Sequence, residues 1–225
     1  MTTFPASSVN DELLSRVAAN LAVINERVAS AASDPTRVRV VAVTKTFDVA
    51  HVEVAAALGL ETVGENYVDE LCLKREQSRA ALRWHFLGAL QTNKIARVLE
   101  CADVLCGVSR EREIHKIAQL RSGASIYVQV DFTGRAERNG APAAQVASLV
   151  ALARDQGLDV RGLMTIAPPE PVAARRAFRD TVALADELEL EERSMGMSDD
   201  LEEACRAGST EIRLGRALFG PRVQV

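Results

Sequence analysis

The chain has 225 residues, 48% of them apolar and 26% charged, with a net charge of −4. That length can bury a sizeable core in one large domain or two small ones. The mild acidity speaks against nucleic acid or an anionic membrane surface as a partner, and no apolar run approaches the ~20 residues that a membrane span needs.

Taken from the start, "MTTFPASSVNDELL" lacks the basic opening and apolar core of a signal peptide. Residues 10–30 place Leu13, Leu14, Val17, Leu21, Ile24 and Val28 on one helical face, with Asn10 or Asp11 expected as the cap. "ASDPTR" breaks that helix, and the β-branched run "VRVVAVT" reads as a strand buried on both faces, ending at Lys45. "DVAHVEVAAALG" is a helix stopped by Gly59; "ETVGE" is a strand, followed by a helix from about Tyr67 to Ala80. "LRWHFLG" and "QTNKIARVLECA" form the third strand and its helix, and "DVLCGV" and "REREIHKIAQLRSG" the fourth. "ASIYVQVDF" pairs with the helix "APAAQVASLVALARDQG", and "DVRGLMTIA" with "PEPVAARRAFRDTVALADELE". "ERSMGMS" and "TEIRLG" are the last strands, separated by the helix "DDLEEACRAG".

Strict alternation calls for a parallel sheet, because parallel neighbours need crossover helices. About eight units in this length favour a single α/β (β/α)8 TIM-type barrel over an open doubly wound sheet, with the seventh strand the weakest. No Pro-, Gly- or Ser-rich linker divides the chain, so residues 1–225 read as one domain with residues 1–35 as an N-terminal helical extension. Cys72, Cys101, Cys106 and Cys205 lack C-x-x-C spacing. They are expected to be free thiols in a reducing, cytoplasmic compartment, with neither a disulfide framework nor a metal site.

A barrel places its site where strands end and loops begin. Lys45, "GENYVDE", "MTIAP", "SMGMSDD" and "IRLGRALFG" all fall there. Ser194, Gly196 and Ser198 lead into one helix, and Gly215 and Arg216 into another. Glycines that admit a close ligand, hydroxyls and helix amides suit a phosphate, although Ser198 and the aspartates could equally serve as plain helix caps. Lys45 could leave an apolar strand end simply to reach water. Yet only four of the 27 basic residues are lysines, and only lysine can form a Schiff base.

Read together and in order, "AVTKTF", "GENYVDEL", "WHFLGALQTNK", "GLMTIAP", "SMGMSDDLEEA" and "IRLGRALFG" resemble the pyridoxal phosphate homeostasis proteins over residues 38–220. That family is similar to the barrel domain of alanine racemase, of fold type III. The resemblance implies that Lys45 carries pyridoxal 5′-phosphate (PLP) as a Schiff base. Asn66 would lie beside the cofactor and Met164 would line its pocket. Ser194 and Ser198, with amides at Gly215 and Arg216, would hold the phosphate, and Arg213 would face the pyridine nitrogen. An arginine there leaves that nitrogen unprotonated and the ring a weaker electron sink. Arg216 stands where the family usually has a small hydroxyl residue, so either its charge joins the phosphate site or its side chain turns away. Ala89 replaces a usual proline.

A racemase of this fold needs a second base on the opposite face of the cofactor. Tyr67 starts a helix, Tyr127 lies inside a strand, His85 reads as structural, and His51 and His115 read as exposed. The expectation is a PLP carrier or regulator in intracellular homeostasis, with no catalytic residue assigned and PLP-dependent apo-enzymes as candidate partners. A monomer or weak dimer is expected. An amino-acid racemase and a barrel binding a phosphorylated metabolite without a Schiff base remain the alternatives.

Overall fold

In the computed structural model, residues 6–134 and 139–221 are described. Helix α1 (Ala6–Ala31) buries Leu13, Val17, Ile24 and Val28, while Leu14 and Leu21 are partly buried against the same core. It begins earlier than its periodicity indicates. Asn10 and Asp11 therefore lie inside the helix, not at its cap, because the apolar stripe marks where packing begins and not where hydrogen bonding does.

The strands follow in order: β1 (Arg39–Val43), β2 (Thr62–Glu65), β3 (Arg83–Phe86), β4 (Val104–Val108) and β5 (Ser125–Asp131). A two-residue strand, β6 (Ala141–Pro142), pairs only alongside β5. Then come β7 (Asp159–Thr165), β8 (Glu192–Ser194) and β9 (Glu211–Leu214). All pairings are parallel, and the order β4-β3-β2-β1-β9-β8-β7-β5 closes through β4 against β5 into an eight-stranded barrel. The weak seventh strand of the sequence is β8, three residues long and joined to β9 by the single pair Ser194↔Glu211.

The crossover helices are α2 (Val49–Ala57), α3 (Val68–Gln77), α4 (Ile95–Cys101), α5 (Glu111–Leu120), α6 (Ala143–Asp155), α7 (Pro171–Glu187) and α8 (Leu201–Ala207). A four-residue helix, α9 (Arg216–Phe219), follows β9. Among the described residues no helix is long and apolar enough to cross a membrane.

Strand alternation sorts side chains between two layers. Ala42, Ile126, Val128, Leu163, Ile212 and Leu214 pack outward into the large core under the helices. Val104, Cys106, Tyr127 and Met164 form a separate cluster inside the barrel. On β9 the alternation sends Glu211 and Arg213 to the opposite side from Ile212 and Leu214, and both charges are buried.

The cysteines correct an expectation. Cys72 on α3 and Cys101 at the end of α4 form a disulfide with Cα atoms 5.2 Å apart, whereas Cys106 and Cys205 are free and buried. Spacing along the chain does not reveal that consecutive crossover helices pack side by side, and that packing brings the two thiols together. His51 also differs from its exposed reading. It lies tilted against Phe47 and edge-on to Phe219, with ring centroids 4.7 and 5.3 Å away, and its Nδ1 lies 2.6 Å from Asp48 Oδ1. His115 is exposed.

Candidate functional site

A cleft of about 750 Å³ opens at the C-terminal ends of the strands. Lys45, Asn66, Met164, Ser198, Arg213, Gly215 and Arg216 all line it. The sequence places these residues on or just after β1, β2, β7, β8 and β9, and barrel closure brings them to one face. Ser194 is not brought to the cleft. It is fully buried, its Oγ donating to Glu211 Oε1 at 2.7 Å and accepting from Arg213 NH1 at 3.1 Å. On a strand of three residues, alternation turns it into the barrel under Arg213.

At one end of the cleft, β1 delivers Lys45. Val43 lines the cleft wall, and Lys45 lies two residues beyond it on the chain. The next residue, Thr46, has φ 67°, a left-handed conformation that costs a residue with a Cβ on the order of 1 kcal/mol. A local support explains how it persists. Thr46 N–H donates to Glu70 Oε2 at 2.8 Å, and Lys74 Nζ, on the same helix as Glu70, donates to Thr44 O at 2.7 Å. Glu65 Oε1 accepts from Thr44 Oγ1 at 2.6 Å and from Lys74 at 2.7 Å. Burial raises the Glu65 pKa above the ordinary value, against the pull of its bonds to Lys74 and Thr44. Asn66 follows β2 directly. Its backbone oxygen would lie 2.2 Å from any Cβ at position 88, so only glycine lets the loop after β3 close over it.

The floor is Arg213. It donates to Ser194 O at 2.6 Å and to Thr165 O at 2.8 Å, so the guanidinium is anchored from behind while still lining the cleft. Burial lowers its pKa, and Glu211 opposes that shift. For Glu211 itself, burial favours the neutral acid, but His85, Ser194 and Arg213 outweigh it and hold the pKa down to about 2. His85 Nδ1 stands 3.7 Å from Glu211 Oε1, beyond hydrogen-bonding reach. Deeper still, Tyr127 OH donates to Glu192, which also pairs with Arg39 and Arg161. The Tyr127 phenol is driven upward in pKa, first by burial and then by these carboxylates.

At the far end, Gly196 sits at φ 99°, and a Cβ there would come within 2.7 Å of Ala204 Cβ. Ser198 Oγ accepts from Ala217 N at 3.1 Å, joining the loop after β8 to the start of α9. Arg216 directs NH2 to Asp199 Oδ2 at 2.5 Å, and both side chains are largely exposed. Helix α1 braces this end from outside: Arg27 NH2 donates to Ser198 O at 3.2 Å, Arg27 pairs with Glu202, and Asn20 Nδ2 donates to Leu218 O at 2.9 Å.

The walls are Val43, Leu87, Met164 and Ile166, with Met197 at the rim. A primary amine at one end, a guanidinium on the floor, and a hydroxyl beside a glycine-opened helix at the other suit a small aromatic aldehyde carrying a phosphate. The donor set and the cleft volume therefore fit pyridoxal phosphate. Among the described residues no group of three or more His, Cys, Asp or Glu side chains is placed to hold a metal ion. Sequence reasoning missed Thr46, whose conformation has no sequence signal. It also missed Lys74, whose signal was available: Val68, Leu71 and Lys74 share one buried face of α3.

The chain is similar to known proteins over nearly all its length. The profile of the alanine racemase N-terminal domain family matches residues 13–223. A pyridoxal phosphate homeostasis protein of Pseudomonas aeruginosa is 37% identical over 225 residues, covering 93% of this chain and 97% of its own. PipY of Synechococcus elongatus, solved with PLP bound, superposes with a TM-score of 0.76 at 30% identity, covering 91% of this chain and 100% of its own. Alanine racemase of Corynebacterium glutamicum aligns with a TM-score of 0.70 at 18% identity, covering 92% of this chain and 60% of its own, which is a likeness of fold.

Proposed function

The chain belongs to the alanine racemase N-terminal domain family and, within it, to the pyridoxal phosphate homeostasis proteins, and from that premise we propose that it holds PLP as a Schiff base on Lys45. The observation that carries the reading is the cleft itself, in which Lys45 is the one lysine among the described lining residues and shares the cleft with Ser198, Gly215 and Arg216, whose hydroxyl and helix-opening amides suit an anion. When bound, the cofactor supplies an aldehyde that condenses with primary amines. Lys45 provides the amine and Asn66 flanks the ring. Arg213, anchored on backbone oxygens, offers a fixed positive charge to the pyridine nitrogen and keeps it unprotonated. Ser198 and the amides opening α9 receive the phosphate.

The role is PLP homeostasis without appreciable turnover. What supports this is the titratable content of the cleft: besides Lys45, the described lining residues offer only Asp199, Arg213 and Arg216, and Asp199 is paired with Arg216. The reading takes residues 1–225 as one cytoplasmic domain, monomeric or weakly dimeric, that exchanges PLP with apo-enzymes. The test is the visible spectrum of the purified protein with PLP, followed by incubation with a broad panel of amino acids. A yellow protein with no D/L interconversion is expected. Racemisation at roughly one turnover per second or faster would reject the carrier role.

A further inference from the structure

The buried cluster on α3 has a use beyond packing. We propose that Glu70 and Lys74 form a clamp that sets the backbone on both sides of Lys45, making them positioning residues for its amine. The inference rests on the Schiff-base reading of Lys45. The clamp grips the two residues that flank it: Lys74 Nζ on Thr44 O at 2.7 Å, and Glu70 Oε2 on Thr46 N at 2.8 Å. Its two members are joined to each other at 2.9 Å and sit one helical turn apart, so they act as one rigid unit. Glu65 completes the cluster from β2, accepting from both Thr44 Oγ1 and Lys74.

The chemistry explains why a clamp is needed there. Thr46 is held in a left-handed conformation that it would leave if its N–H lost its acceptor. A relaxed turn re-aims Lys45, and only the fraction of molecules with the amine correctly placed can bond the aldehyde, so apparent affinity falls with that fraction. Binding that uses the phosphate and ring alone does not depend on that fraction.

Two phosphorylated ligands separate the cases. PLP carries the aldehyde, and pyridoxine 5′-phosphate carries an alcohol in its place and cannot form a Schiff base. Lys74→Met removes the cation that neutralises buried Glu65 and can fail to fold, so the decisive variant is Glu70→Ala, at a partly exposed position. Equilibrium titration of Glu70→Ala is expected to show PLP affinity weakened by ~10-fold, the scale of a lost hydrogen bond to a charged group. Pyridoxine 5′-phosphate affinity should stay within about two-fold of wild type, and Glu70→Gln, which keeps an oxygen for Thr46 N–H, should recover most of the PLP affinity. Unchanged PLP affinity, or equal losses for both ligands, would overturn the clamp. Lys45→Ala is the separate control: if it binds PLP as tightly as wild type, the Schiff-base reading fails whatever Glu70 does.

Discussion

The two ends of the cleft are held in opposite ways. At the lysine end the support is buried and charged: Lys74 is 5% exposed, Glu65 is fully enclosed, and both bear on the residues beside Lys45. At the phosphate end the support is exposed and divided among separate contacts. Arg216 and Asp199 keep 66% and 85% of their side-chain surface, and Arg27 and Glu202 are roughly one-third exposed. Under the proposed function, the difference follows from what each end would have to do. A covalent bond depends on where one nitrogen points, so its scaffold has to be rigid. A phosphate is met by several backbone amides and a hydroxyl, none of which needs a buried ion pair.

The comparison breaks most visibly under paired substitutions. Lys74→Met leaves Glu65 buried without its cation and should destabilise the fold by about 3 kcal/mol or more, whereas Arg27→Ala at the other end should cost at most about 1 kcal/mol. Chemical denaturation of the two variants checks this, and equal losses would erase the distinction. Close behind is the disulfide that ties α3, the helix of the clamp, to α4. Closing a loop of 29 residues is worth on the order of 3 kcal/mol, so the Cys72→Ala/Cys101→Ala pair should melt roughly 6–12 °C lower.

A smaller effect lies on the floor between the two ends. Glu211 has its pKa depressed to about 2 in the fold. It therefore contributes stability that is fully present above the unfolded value of about 4.3 and is lost as the pH falls toward about 2. Glu211→Gln should flatten the stability curve across that window and leave its slope above pH 5 unchanged. The smallest effect is expected at Arg216. Its guanidinium faces Asp199, so Arg216→Thr should change PLP affinity by less than about three-fold, and a ten-fold loss in titration would mean that the charge serves the phosphate directly.

Much of this architecture was legible in the sequence because two periodicities carry it. Alternation of strand and helix marks the barrel, and residues at strand ends mark the cleft. Lys45 and the segments that carry Asn66, Arg213 and Gly215 could be placed at one face on that basis, and the family resemblance then singled out the residues within them. What escaped depended on contacts between elements distant in the chain. Ser194 turns inward on β8, a strand too short for its alternation to be read from the sequence. Cys72 and Cys101 meet because α3 and α4 are neighbours. Lys74 went unassigned on a polar helix, although it continues the stripe of Val68 and Leu71. The left-handed turn at Thr46 arises from the tertiary support of Glu70, which no local propensity encodes.

The central claim is that the rigid end of the cleft exists to present one amine. Its most direct test is borohydride reduction of the PLP-loaded protein followed by peptide mass analysis. The account predicts the reduced cofactor on the peptide containing Lys45 and its complete absence from Lys45→Ala. Cofactor found instead on Lys74, Lys94 or Lys116, or a yellow Lys45→Ala protein, would contradict it.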